Sequence, residues 1–236
     1  MQEGDIISHT EMCSAESRNL QQGMNFHVSD RPYSVVLMSI RRGSPYEDEV
    51  TDAGRVLVYE GHDVKKSDTV PVPKMVDQPL RNQSGSLTQN GRFYEAAKSH
   101  SQDNTTPRLV KVYEKIKSGI WVYNGFFALV DAWQETQNGR KVFKFRLEKV
   151  KTGPAGSSEY ENSSLVSEST VNRMIPSPVK REVWKRDKGR CVKCGSNQNI
   201  HFDHIIPFSK GGSSTTAKNI QILCARCNLA KHDKIE

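Results

Sequence analysis

The sequence predicts an α+β protein of two domains: a larger N-terminal one built on a twisted β-sheet or partly closed barrel, and a small C-terminal one stapled by metal. Three observations carry this expectation. Apolar runs rich in β-branched and aromatic residues recur at short spacing between Ser34 and Val150. Composition then shifts to Ser, Gly, Pro and Glu over residues 151–178. Beyond that stretch stand two Cys-x-x-Cys pairs, a spacing suited to one metal ion.

Taken in order, residues 1–30 are polar and show no pattern that assigns them a structure or a role. Ser34–Ile40 is a continuous apolar run suited to a buried strand. Arg55–Glu60 and Leu109–Ile116 are two more strands, and Gly91–Ser99 is a short helix. Phe126–Glu135 and Lys141–Val150 are joined through Gln137-Asn138-Gly139, a tight hairpin turn. In the last run Phe143, Phe145 and Leu147 alternate with Lys144, Arg146 and Glu148, the spacing of a strand buried on one face. The domains are therefore 1–150, a flexible linker 151–178 without periodic apolar residues, and 179–236. The last opens on a short basic helix, Val179–Asp187, and closes on a helix that begins at the second cysteine pair.

The chain has 236 residues and a net charge of +7. Residues 179–236 hold 12 Lys and Arg against 5 Asp and Glu, so all of the excess lies there and the front domain is neutral. Such a basic unit suits a polyanion, although a solvated basic face kept for solubility explains the charge equally well. No apolar run is long enough to span a membrane, and the polar, acidic start lacks the features of a secretory signal, so a cytoplasmic protein is expected.

In that setting Cys191, Cys194, Cys224 and Cys227 are expected to bind zinc rather than to form disulfides. Cys13 reads as an ordinary free thiol. The 29 residues between Cys194 and Cys224 exceed a minimal zinc ribbon, so the staple closes a loop that carries something further. The loop carries His201, Asp203, His204 and Asn219, and Asn228 and His232 follow, four apart on one helical face. Asp203 and His204 are neighbours on an extended segment and point opposite ways. A carboxylate for a cation and a neutral histidine for a water are the parts that phosphodiester hydrolysis needs.

Residues 190–235, RCVKCGSNQNIHFDHIIPFSKGGSSTTAKNIQILCARCNLAKHDKI, resemble the HNH nucleases of the ββα-metal class. The resemblance implies His204 as general base, Asn219 as the residue that fixes the loop bearing it, and Asp203 and Asn228 as ligands of a catalytic divalent ion, usually magnesium. His232 sits where some members place an extra metal ligand. His201 is either a phosphate contact or a packed strand residue.

The front domain groups Tyr46, Glu47, Asp48 and Glu49 with Tyr59, Glu60, Gly61, His62 and Asp63. Two tyrosines can sandwich a planar base and a carboxylate can accept from a cytosine amino group, although a core tyrosine and a solvated acidic turn fit the same residues. The segments SPYEDEV, VYEGHD, MVDQPL, LTQNGRFYEAA, PRLVKVYEKI, VYNGFFALVDAW and KFRLEKV occur in this order and resemble the SRA (YDG) domain, a PUA-like fold, over about residues 30–150. The signature stands as Tyr123-Asn124-Gly125. The resemblance implies a reader that flips modified cytosine, with Tyr46 and Tyr59 stacking on the base, Glu49 or Asp48 taking its amino group, and Glu60 where some relatives have Thr. Arg81–Arg92, with Asn82, Gln83 and Gln89, is a candidate wedge for the vacated stack.

Together these resemblances imply a modification-dependent restriction endonuclease acting on duplex DNA that contains 5-methylcytosine or 5-hydroxymethylcytosine. It takes no small-molecule substrate and no membrane, and it is a homodimer where both strands are cut. Two rival readings are a non-catalytic binder of modified DNA and a mobile-element HNH nuclease that cuts unmodified DNA.

Overall fold

The computed structural model describes residues 1–28, 31–40, 43–150 and 174–232. The front domain is one mixed sheet of β1 (Ile6–Ser8), β2 (Met24–Asn25), β3 (Ser34–Met38), β4 (Glu49–Thr51), β5 (Val56–Glu60), β6 (Arg108–Lys117), β7 (Ile120–Gln137) and β8 (Arg140–Lys149). Its hydrogen-bonded path is β2-β3-β6-β7-β8-β5-β4, with β1 added on β7. The β3–β6 pair is parallel and the others are antiparallel.

The long strands follow the apolar runs because alternate residues enter one core. Phe143, Phe145 and Leu147 are all but completely buried. The expected alternation fails at Lys144, which is 5% exposed, because its ammonium pairs with Glu60 at 3.2 Å. The β7–β8 turn carries positive φ at Asn138 and Gly139, as a two-residue Asn-Gly hairpin requires. Gly125 has φ +91° in the middle of β7, next to a register shift against β6, and so accommodates a bend that a side chain would resist.

Helix α2 (Gln89–Asp103) is longer at both ends than Gly91–Ser99. Thr88 caps it by accepting from the Gly91 amide, and Asn104 ends it in the left-handed region. Its Phe93 and Ala97 complete a core with Met24, Val36, Tyr59 and Phe145. The first turn of α2 takes over the last part of the candidate wedge: Gln89 Oε1 accepts from the Phe26 amide at 2.9 Å and is committed to the scaffold. Asn82 and Gln83 remain exposed.

Residues 1–28, unreadable as a pattern, are structural. Helix α1 (His9–Ala15) starts on a capping box between Ser8 and Glu11, and Met12, Leu20 and Val28 pack on Val35, Tyr113 and Trp121. Glu16 is fully buried there, held by Lys111 at 2.6 Å and by the Tyr33 and Tyr113 hydroxyls.

The C-terminal unit comprises α3 (Ser177–Arg186), β9 (Ile200–His204), β10 (Ile220–Cys224) and α4 (Ala225–Lys231). Its core of Val179, Val183, Ile200, Phe202, Ile220, Ile222 and Leu223 is continuous with Ile6, Ile116 and Val122 of the front sheet. β1 lies between the two units. It pairs with β7 from Ile6↔Val122 to Ser8↔Ile120, while Asp5 bridges to His201 of β9. The expected linker lies outside the described residues over 151–173. Its last part is not a linker, because Met174 and Ile175 are already buried and α3 opens at Ser177 rather than at Val179. Among the described residues no helix is long and apolar enough to cross a membrane.

Candidate nuclease centre and base pocket

The C-terminal unit is a β-hairpin followed by a helix. β9 and β10 pair antiparallel from Ile220↔His204 to Cys224↔Ile200, and α4 follows at once. Alternation sends Ile200 and Phe202 into the core and leaves His201 and Asp203 half-buried on the other side. Asn219, 8% exposed just ahead of β10, ties down the loop after His204. Its side chain accepts from the Ile206 amide at 2.8 Å and donates to the Ile206 and Ser213 carbonyls at 3.2 and 3.0 Å. The same loop brings Ser214 to His204, Oγ to Nε2 at 2.8 Å, and sets the Phe208 ring edge-on to the imidazole.

Asp203 does not stand alone. Its Oδ2 accepts from Gln221 and Lys231, each at 3.1 Å, and Lys231 also donates to the His204 carbonyl at 2.7 Å. Lys231 is 1% exposed, so its ammonium is a built-in part of the centre. The sequence reading missed it because a lysine near a chain end looks like a solvated charge. The shared face expected of Asn228 and His232 does not form. α4 ends at Lys231, and His232 turns outward at φ +49° beyond the last helical residue, while Asn228 stays half-buried on the helix. His201 is a packed residue of the unit boundary, with Nδ1 at 3.2 Å from Asp5 and Nε2 buried.

Cys191, Cys194, Cys224 and Cys227 lie with all four sulfurs within 4.8 Å of one another. Cys194 and Cys224 are 3.6 Å apart, close to the separation that thiolates adopt around one tetrahedral zinc with bonds of about 2.3 Å. Burial raises the Cys191 thiol, but the backbone amides of Cys224, Cys194 and Lys193 lower it further, to about 6. Cys227, hydrogen-bonded to Cys224, is pushed up to about 12. Four sulfurs this close cannot all be thiolate without a cation between them, and the donor set suits a soft or borderline metal.

In the front domain the tyrosines differ. Tyr46 is half-buried, and its ring stacks on His62 at 4.9 Å and 9° while the Lys74 ammonium lies 4.3 Å from the ring centre. Tyr59 is 1% exposed in the core, and only its hydroxyl reaches the group, 3.0 Å from His62 Nε2. His62 thus lies between the two tyrosines. A side chain at Gly23 would collide with both His62 and the Tyr59 hydroxyl, so the backbone there forms a close wall. Burial holds His62 down to about 4, with Asp63 pulling up and Lys74 down. The sequence reading quoted this histidine without assigning it a place.

The carboxylates also separate. Asp48 turns inward, its two oxygens accepting from the Ser39 and Glu60 amides at 2.9 and 3.2 Å, and burial pushes it up to about 7. Glu49 is exposed on β4. Glu60 is locked among Lys144, Arg140 and Lys74 and accepts from the Glu47 amide. The structure therefore brings Tyr46, His62, the Tyr59 hydroxyl and Asp48 to one corner and leaves Glu49 outside it.

Known proteins match both halves. The SAD/SRA domain family matches residues 5–152 and the HNH endonuclease family matches residues 191–234. A CRISPR-associated endonuclease Cas9 of Corynebacterium diphtheriae is 34% identical over 62 residues, covering 23% of this chain and 6% of its own length. The chain thus spans only a small part of that relative. Among solved structures, the SUVH5 SRA domain in complex with hemi-methylated CG DNA is 24% identical, with a TM-score of 0.45, 66% of this chain and 94% of that one covered. The same domain bound to fully hydroxymethylated CG DNA gives 22%, 0.43, 66% and 90%. Arabidopsis thaliana SUVH6 in complex with SAM gives 21%, 0.43, 66% and 27%. With most of its length in the first match and the hairpin, helix and four cysteines in the second, the chain belongs to the SAD/SRA domain family and carries an HNH endonuclease domain behind it.

Proposed function

We propose that the protein is a modification-dependent DNA endonuclease. Its front domain (1–150) takes up a flipped modified cytosine, 5-methylcytosine or 5-hydroxymethylcytosine, and its C-terminal domain (179–236) hydrolyses a phosphodiester nearby. The observation that carries this reading is the presence in one chain of a stacking corner around Tyr46 and a histidine, His204, on a loop pinned by Asn219.

Flipping a base costs a few kcal/mol of stacking, which contacts in the pocket must repay. Tyr46 supplies the exposed aromatic face. Tyr59 supplies its hydroxyl from the core, and Asp48 accepts from the exocyclic amino group. Glu60 holds the corner together through its cations. His62 occupies the space next to Tyr46 and yields it to the entering ring.

At the nuclease centre the His204 imidazole takes a proton from the attacking water. Ser214 orients the imidazole, and Asn219 keeps both on one rigid loop. Asp203 and Asn228 would hold a hard divalent cation such as magnesium, for which oxygen donors are suited. That cation would supply charge stabilisation for the phosphate and the leaving oxygen. Lys231 already places one positive charge on Asp203. The four-cysteine cluster would hold zinc and serve the fold.

One centre cuts one strand, so a double-strand break on this reading takes a homodimer. The place of action is the cytoplasm and the role is restriction of foreign modified DNA. The Lys231–Asp203 ion pair favours one other reading, a non-catalytic binder whose acidic ligand is permanently neutralised. The test is one plasmid prepared in unmethylated, 5-methylcytosine and 5-hydroxymethylcytosine forms and incubated with magnesium. Cutting of modified forms only, lowered about 10²–10⁴-fold in His204→Ala, is expected. Binding of modified DNA without any nick would establish the binder, and equal cutting of all three forms would remove the reader.

A further inference from the structure

Lys180 stands in the first turns of α3 and is 2% exposed. Its ammonium donates to Glu114 Oε2 on β6 at 2.9 Å and to Asn124 Oδ1 on β7 at 2.6 Å. Asn124 closes the triangle by donating to the same Glu114 oxygen at 3.1 Å. Ser177 also bonds Glu114, and the other oxygen, Oε1, is buried without a hydrogen-bond partner among the described residues. Nearby, Lys149 bonds the Asn124 carbonyl and pairs with Glu3 at 2.6 Å. Glu114 is fully buried, so its charge is tolerated only because Lys180 reaches it from the other unit.

The identity of residue 124 matters here. An aspartate, as in the Tyr-Asp-Gly signature, would set a second carboxylate beside Glu114 with one ammonium to share. An asparagine accepts from Lys180 and donates to Glu114, so one positive and one negative charge remain, each bonded. A separate set of contacts also joins the two units. Gly4 and Asp5 bond to β9, and Ile6, Ile116 and Val122 pack into the core of the C-terminal unit.

We propose that Lys180, Glu114 and Asn124 form a positioning socket that locks the HNH domain onto β6 and β7 of the front sheet, so that the interval between the flipped base and the cut bond is set by the fold rather than by residues 151–173. This rests on the proposed function for its cutting arm and on the structure alone for its docking arm. Lys180 touches neither substrate nor the reacting atoms; it acts through the placement of His204.

The full-length protein tests it with two readouts. Lys180→Met alone leaves Glu114 uncompensated and can unfold the sheet, so the second variant is Lys180→Met with Glu114→Gln, which removes both charges. Amide hydrogen exchange without DNA should show α3 and Ile6–Ser8 protected in the wild type. In the double variant they should exchange about tenfold faster or more, with β6–β8 unchanged. On a duplex carrying one 5-methylcytosine, the wild type should cut within a narrow interval and the double variant should cut over a wider spread with its total yield kept. α3 amides as fast in the wild type as in the variant would overturn the socket. Faster α3 exchange with an unchanged cut interval would overturn its positioning role. If the wild type leaves the modified duplex uncut, the proposed function fails, and protection retained in the double variant would then overturn the socket by itself.

Discussion

The two domains are stabilised in different ways. The front sheet spans β7, 18 residues long, and buries Phe93, Phe127, Phe143, Phe145 and their neighbours in a core closed by its own helix. The C-terminal sheet has two strands of five residues, a size that rarely stands in water without help. It draws on two outside sources, a four-cysteine cluster and a share of core with Ile6, Ile116 and Val122 of the front sheet. The comparison shows how a small unit can hold a half-buried histidine and carboxylate in place: rigidity is imported from the four-cysteine cluster, which is placed to bind a metal ion, and from the larger neighbour.

Removing the metal should have the largest effect. Chelation should cost the C-terminal unit on the order of 10 kcal/mol and collapse it, while the front core stays folded. Side-chain resonances of Ile222 should lose dispersion while those of Phe143 and Leu129 keep it. Persistence of Ile222 without metal would mean that the shared core suffices, which would break the contrast.

Next is Asn219→Ala. It removes three hydrogen bonds and leaves the Ile206 amide and the Ile206 and Ser213 carbonyls without them, at a cost of about 2–3 kcal/mol. Urea unfolding should show that loss in the C-terminal transition only, together with slower cutting. An equal loss in the front domain would show that the two units unfold as one.

The smallest effect is a change of pH slope in the front domain. His62 is held down to about 4 against an ordinary 6.5, so between those values the unfolded chain binds more protons. Its contribution to stability is complete above pH 6.5 and is lost as pH falls through the window. Asp48, pushed up from 3.8 to about 7, does the opposite: the folded chain binds more protons, and stability is lost as pH rises. The two slopes oppose each other in the wild type. His62→Gln removes the first and leaves the second, so stability of the front domain should fall more steeply between pH 4 and 7 in the variant, by about 1–3 kcal/mol overall. Parallel pH curves for the two proteins would show that His62 is not buried beside Tyr46.

Much of this architecture is legible in the sequence. The alternation of Phe143, Phe145 and Leu147 and the Asn138-Gly139 turn express local geometry, which needs no knowledge of distant residues. The cysteine pairs are legible because metal coordination restricts spacing to a few values. The helical face assigned to Asn228 and His232 misled because the end of α4 is decided by where its backbone packs and not by periodicity. Lys144 and Tyr59 misled in a similar way: one looks like a solvent-facing charge and the other like a free aromatic face, and both are buried.

The fold class, the SAD/SRA and HNH order along the chain and the four-cysteine cluster could thus be read without coordinates. Only the tertiary structure decided which charges are buried: Lys180 on Glu114, Lys231 on Asp203 and Lys144 on Glu60. It also decided that Gly4 to Ser8 join the two units, and that His62 fills the corner beside Tyr46. For the three ion pairs the physical reason is the same. A buried ion is stable only beside a counter-charge, and here every partner comes from a different element, 28 to 84 residues away. Local pattern cannot report such a pairing, because it exists only once the chain has folded.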